Sequence, residues 1–299
     1  MPTPCPRCGY DQSGVIDSWT RSCPLQGTCS ECGLAFRWVE LLRPELFLIP
    51  WLFEHARGRL PYRFYASAAR SLLPWRFWST LALPHALRPR RLLAFLVLLF
   101  LLAYLWACFV AAGVNAMLAD AGRAWHPDGA YVGSFFEAAL WGAALAPIWH
   151  TITWHSGSAI LPASIPLLWV LLMTLSYFLL IESLGKARVR PIHLLRALAY
   201  CMPATLLVWG HALTLVFQNA FWWTSPNLLA RAVMDSTSFT GYLWVAWSFL
   251  YWHSFTSRYL RLDHPFLVTL LLLILSGLAT AAIVVYGGNG LHSLSEFFA

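Results

Sequence analysis

From residue 92 onward polar side chains become sparse and apolar residues run in long blocks. A helix needs roughly 20 apolar residues to cross the hydrocarbon core of a bilayer. Blocks of about that length lie at 92–114, 160–181, 194–217, 239–255 and 266–286, and each is read as a spanning helix. The first and last are uninterrupted, whereas 239–255 is short and rich in Trp and Tyr. The stretch 131–155 is also long enough, but it carries Glu137, Pro147, His150 and His155. It is read as a re-entrant or interfacial helix rather than a sixth crossing. Ahead of the blocks, residues 46–91 alternate arginine with Phe, Trp, Tyr and Leu; prolines at 50, 61, 74, 84 and 89, with Pro44 just before, cut them into short pieces. Residues 1–45 are polar and cysteine-rich, and 287–299 form a short tail.

Composition agrees with this pattern. Hydrophobic residues make up 59% of the chain and charged ones 11%, with a mean hydropathy of +0.60. A soluble domain carries about a quarter charged residues. The expected fold is therefore mostly α, a polytopic membrane bundle of about five spans behind a small N-terminal β-hairpin module. The polar start offers no cleavable signal peptide, so the first span is expected to serve as the insertion signal.

The net charge of +7 is informative through its placement. With five crossings, Arg88, Arg90, Arg91, Lys186, Arg188, Arg190, Arg196, Arg258 and Arg261 share one side, against Arg123 and Arg231 on the other. The positive-inside rule then puts the N-terminus in the cytoplasm and the C-terminus outside. Residues 46–91 contain Arg57, Arg59, Arg63, Arg70, Arg76, Arg88, Arg90 and Arg91 against one acid, Glu54. Short helices with arginine on one side and aromatic residues on the other lie in the membrane interface. An anionic leaflet would attract these eight arginines.

The chemistry at the N-terminus is sharper. Cys5-x2-Cys8 and Cys29-x2-Cys32 are separated by twenty residues, and glycine follows each pair at Gly9 and Gly33. This is the spacing of a four-cysteine zinc ribbon. Two tight turns deliver two thiolates each to one tetrahedral ion, and a left-handed glycine lets backbone amides face the sulfurs. One structural Zn²⁺ is expected. Such a site is closed and leaves no position for a reacting water. Cys23 is surplus and is read as a small buried side chain, with a replacement ligand as the alternative. Thiolate ligands fit the reducing, cytoplasmic side. Residues 1–45 carry four arginines against five acids, which argues against a nucleic-acid partner.

Within the membrane part, Glu137, His150, His155, His211 and His253 are the ionisable candidates for a polar site. His150 and His155 are five residues apart and so do not share one helical face. No hydrolase elbow, phosphate-binding glycine loop or HExxH is present.

The segment "CPRCGYDQSG…CPLQGTCSECGLAF" resembles the zinc ribbons that precede multi-span bacterial membrane proteins. The remaining layout is similar to the Yip-type five-span family. That resemblance implies membrane organisation and partner recruitment, without enzymatic chemistry. The expectation is a non-enzymatic protein of the bacterial cytoplasmic membrane. Its ribbon would dock a cytoplasmic protein, and its arginine-rich collar would rest on anionic lipid. The alternatives are a permease using Glu137 and the histidines, or a membrane enzyme acting on lipid or peptide.

Overall fold

The computed structural model describes residues 3–20, 22–56, 58–85, 87–120, 161–183, 189–222, 228–262 and 264–298. The stretch 131–155, with Glu137, His150 and His155, lies outside the described residues, as does Arg57. The described chain is mostly helical. The N-terminal module holds α1 (Ser13–Asp17), the antiparallel pair β1 (Gln26–Thr28) and β2 (Ala35–Arg37), and α2 (Trp38–Leu42). In the pair, Gly27 stands opposite Phe36. A Cβ on Gly27 would lie 2.7 Å from Nε1 of Trp38, so only glycine lets this indole close over the hairpin. Trp38 also meets Trp19 and Phe36 edge-on at 4.7 and 4.9 Å. The module thus has a small aromatic core in addition to its cysteines.

The collar consists of a 3-10 turn at Pro44–Phe47, a second at Phe53–His55, then α3 (Leu60–Ser71) and α4 (Pro74–Thr80). Its prolines act as helix starters. Pro61 sits in the first turn of α3, and Pro74 and Pro89 open α4 and the following helix. A first-turn proline forfeits no intrahelical hydrogen bond and has its φ preset.

The long helices are α5 (Pro89–Asp120), α6 (Leu161–Ser183), α7 (Pro191–Trp222), α8 (Leu228–Ser254) and α9 (Pro265–Phe298). A π-helical turn, Phe255–Leu260, extends α8. Among the described residues three stretches are long and apolar enough to cross a membrane, Pro89–Phe109, Pro191–Gly210 and Pro265–Ile283. Ile165–Phe178 is a shorter apolar fourth. The expected span 239–255 is helical but is not among them. The α5 and α9 stretches are each 22% buried, while that of α7 is 72% buried. Stretches apolar all round suit lipid contact, and the α7 stretch, which carries His193, Arg196 and Thr205 among its apolar residues, is the most buried of the three.

The chain divides into two compact units. One comprises residues 1–96, 173–203 and 248–275. Its core is aromatic. Trp78 is fully buried and meets Phe255, Tyr259 and Tyr251 at 4.9, 5.0 and 5.6 Å. Phe77 and Phe95 both pack on Tyr200, at 4.9 and 5.1 Å. The collar therefore spends much of its aromatic face on the ends of its own helices, where the sequence suggested lipid. Tyr62, Tyr65 and Trp75 remain outward. The other unit comprises 97–172, 204–247 and 276–299. There Trp169 meets Trp244 edge-on at 5.3 Å, and Gly210 gives room for Trp106.

Arg196, grouped by sequence with the topology-setting cations, is fully buried on α7. Its Nε and Nη2 donate to the two carboxylate oxygens of Glu54 at 2.8 and 2.6 Å. Its Nη1 donates to the Tyr259 hydroxyl at 2.9 Å. Glu54 is equally buried, so the collar's one acid is not a surface counter-charge. Its turn is held in place by Ser67, whose Oγ accepts from Phe53 N at 2.8 Å and donates to the Trp51 carbonyl at 3.1 Å.

Two outcomes are expected. Arg196→Met strands a buried carboxylate and should cost about 3–5 kcal/mol of unfolding stability, whereas adding Glu54→Leu should recover most of the loss. Denaturant unfolding of the detergent-solubilised protein, followed by tryptophan fluorescence, measures both. The second outcome concerns His85, whose Nδ1 accepts from Ala82 N at 2.9 Å. Burial, then the Arg196 charge and His55, lower its pKa from 6.5 to about 4. The unfolded chain takes up this proton as pH falls below about 6.5 and the folded chain does not. Stability should therefore decline from pH ~6.5 to ~4. His85→Asn keeps an acceptor for Ala82 N and should flatten that decline in pH-dependent melting.

Candidate metal centre

Each knuckle is built by local backbone geometry. Gly9 N donates to the Cys5 carbonyl at 2.9 Å, and Gly33 N to the Cys29 carbonyl at 2.9 Å. Both glycines are left-handed, with φ of 80° and 67°, as the sequence position suggested. Cys5 N donates to the Tyr10 carbonyl and Cys29 N to that of Leu34, closing the two turns alike. The repeated glycine is thus a conformational need, since a side chain at positive φ is strained.

The turns bring Cys5, Cys8, Cys29 and Cys32 together, with all four sulfurs within 4.8 Å of one another. Across the knuckles, Cys5 and Cys32 sulfurs are 3.7 Å apart, and those of Cys8 and Cys29 3.6 Å apart. A tetrahedral metal with bonds of about 2.3 Å requires sulfurs about 3.8 Å apart. The donor set therefore fits one tetrahedral, thiophilic ion. Cys5 and Cys29 are buried, and Cys8 and Cys32 are half-buried.

The electrostatics show why such a cluster suits a cation. Burial raises the Cys5 thiol pKa well above its usual value and pushes Cys32 up to about 11. Burial acts the same way on Cys29, but the backbone N–H groups of Cys32 and Glu31, with the Cys8 and Cys5 thiols, outweigh it and lower that pKa. Crowded, partly buried thiols resist gathering four negative charges. A bound dication removes that penalty and deprotonates its ligands.

Cys23 departs from its expected place. It is exposed rather than buried, stands outside the four-sulfur cluster, and donates only to the adjacent Pro24 carbonyl at 3.4 Å. It precedes β1 and lines a surface hollow with Leu25 and Leu42.

Two features beyond the cysteines were not anticipated. Gln12 is 1% exposed, and its Nε2 donates to the Cys29 sulfur at 3.3 Å. Its amide thus steadies a thiolate-forming atom from outside the cluster. The first knuckle is also tied to α7. His193 bridges the Pro6 carbonyl through Nε2 at 2.8 Å and the Tyr259 hydroxyl through Nδ1 at 2.7 Å. Arg190 N donates to the Arg7 carbonyl at 3.0 Å. A continuous polar chain thus runs from Pro6 through His193, Tyr259 and Arg196 to Glu54. The one sequence cue was that His193 and Arg196 lie three residues apart at a helix start, and so share a face.

Of the membrane-surface arginines, Arg59, Arg70, Arg76 and Arg90 are exposed, and Arg63, Arg88 and Arg91 half-exposed. Arg70 sits over the Trp51 ring at 4.5 Å, and Arg63 donates to the His55 carbonyl at 3.0 Å. Of the intramembrane candidates, His253 stacks on Phe249 at 5.8 Å, and the side chain of His211 lies outside the described ones. Of the five expected members of a polar intramembrane site, only the side chain of His253 is among the described ones. Comparisons of the chain with protein-family models, with curated proteins and with solved structures gave no match.

Metal analysis of the purified protein should give one ion per chain, kept in Cys23→Ala and lost in Cys29→Ala. Gln12→Ala should keep that stoichiometry but weaken affinity about tenfold in a chelator competition, as loss of an outer hydrogen bond to a ligand does.

Proposed function

We propose that this chain is a non-enzymatic integral membrane protein of the bacterial cytoplasmic membrane, in which a structural zinc ribbon, clamped to the helical bundle, docks a protein partner on the cytoplasmic face. The observation that carries the reading is the ribbon's orientation. Its first knuckle is bonded to His193 of α7 through Pro6 and to Arg190 just ahead of α7 through Arg7, while Leu25 and Leu42 stay outward. Leu25 is 87% exposed and Leu42 44%, beside a hollow of about 640 Å³ that Arg37 and Arg43 also line. Exposed apolar side chains rimmed by charge suit protein contact.

Zinc is the fitting ion because four thiolates at tetrahedral spacing select it, and the closed set gives it a structural role. The knuckle chemistry and the arginine distribution support a cytoplasmic N-terminus and an outside C-terminus. The outward arginines of the collar, with Tyr62, Tyr65 and Trp75, suit an anionic lipid surface. The same recruiting role is what the Yip-type resemblance implies. The acidic balance of residues 1–45 speaks against nucleic acid. Neither the permease nor the enzyme reading gains a supporting observation from the described residues.

Crosslinking in cells followed by purification tests the docking. Leu25→Asp with Leu42→Asp should keep the metal and lose the partner, and Cys8→Ser should lose both. An unchanged partner in both variants overturns the docking reading, and a wild-type chain without zinc overturns the metal reading.

A further inference from the structure

A second cleft, of about 280 Å³, lies between the ribbon's β2, the loop after α4 and the turn that ends α8. Arg37, Arg258 and Arg261 line it, with Glu40 as its one acid among the described residues. We propose that this cleft binds the phosphate of an anionic phospholipid headgroup. The inference extends the lipid-facing part of the proposed function to one defined site and does not depend on the protein partner.

The charge balance favours an anion. Glu40 approaches Arg37 only to 3.8 Å, and the Arg37 side chain is 61% exposed, which leaves donors for another acceptor. Arg258 gives one Nη1 hydrogen bond to the Trp75 carbonyl at 3.3 Å and is otherwise turned to solvent. Arg261 is exposed and makes no hydrogen bond or ion pair among the described residues. Guanidinium groups present planar, paired donors that match phosphate oxygens, and they are weakly hydrated.

The backbone holds these groups in position. Arg261 is left-handed at φ 53°, a conformation that is strained for a non-glycine residue. It ends the π-helical turn, and Leu262 N is bonded back to the Thr256 carbonyl at 3.1 Å. The turn's own Phe255 and Tyr259 rings are buried and anchor it.

Location separates a lipid from a soluble phosphate. Pro265, four residues beyond Arg261, begins α9, whose apolar stretch is long enough to cross a membrane. Its first turns expose Phe266, Leu267 and Leu271. Cationic groups just before such a surface stand at headgroup depth, with acyl-chain contact available one or two turns further on.

Native mass spectrometry of the full chain in non-ionic detergent tests the site. Phosphatidylglycerol and phosphatidylcholine are added at equal concentration, with an inorganic phosphate arm. The wild type should retain one phosphatidylglycerol in preference to phosphatidylcholine. Arg258→Gln with Arg261→Gln should lower that retention at least about tenfold, as expected for losing charged hydrogen bonds. Zinc content and elution volume establish that each variant is folded, and Arg261→Lys should restore part of the retention if the double variant is not. Equal retention of the two lipids, or no effect of the double variant, overturns the site. Displacement of the lipid by inorganic phosphate assigns the cleft to a soluble phosphate and overturns the lipid proposal. None of these outcomes alters the crosslinking result, so failure here is distinguishable from failure of the docking reading.

Discussion

The Arg196–Glu54 pair is the constraint around which the described half of the bundle is arranged. Two buried charges are tolerated only when each is met in full, because desolvation otherwise exceeds their attraction. Here the guanidinium meets the carboxylate through two donors and a tyrosine hydroxyl through a third. That requirement fixes three elements at once. The turn carrying Glu54 must lie against α7, the π-helical turn carrying Tyr259 must close over it, and the aromatic residues of α4 must seal the side. Hydrophobic packing alone would leave the collar free to slide along the helix ends. A geometry with paired donors does not.

The metal centre extends the same arrangement outward. His193 is the hinge between them, since one ring nitrogen faces the tyrosine of the ion-pair network and the other faces the carbonyl of Pro6. The ribbon is accordingly part of the folded body at one end and open at the other. Its cysteines order a short polypeptide, its tryptophans give it a small core, and its backbone carbonyls anchor it to α7. A module held this way presents its outer residues in a fixed direction relative to the helices of its own unit.

Much of this was legible in the sequence where the causes are local. Knuckle geometry depends on residues within five positions, so the cysteines and their glycines were readable from spacing. Helices driven by apolar blocks were readable for the same reason, whereas the prolines, read as breaks, turned out to open helices. What escaped depends on distant partners. Arg196 looked like one more cation in a basic loop, because nothing near it in sequence announces Glu54. That Glu54 was the lone acid among arginines was the available cue. The amphipathic collar was readable as amphipathic, but periodicity does not say whether lipid or protein covers an apolar face. Cys23 was expected inside because small thiols favour interiors, yet the small core of the module is made by Trp19, Phe36 and Trp38, and Cys23 is exposed.

The pairing of Pro6 with His193 spans 187 positions, and that of Glu54 with Arg196 spans 142. A chain emerging from the ribosome completes its cysteine cluster long before it has made α7. The four cysteines can thus come together early, but the seat of the module does not yet exist. Glu54 likewise stays hydrated and unpartnered until the helix bearing Arg196 has been synthesised. Assembly of this end of the protein therefore reports on insertion. Only after the later helices reach their places can the first fifty residues lock down, so that the finished module certifies the membrane segment beneath it.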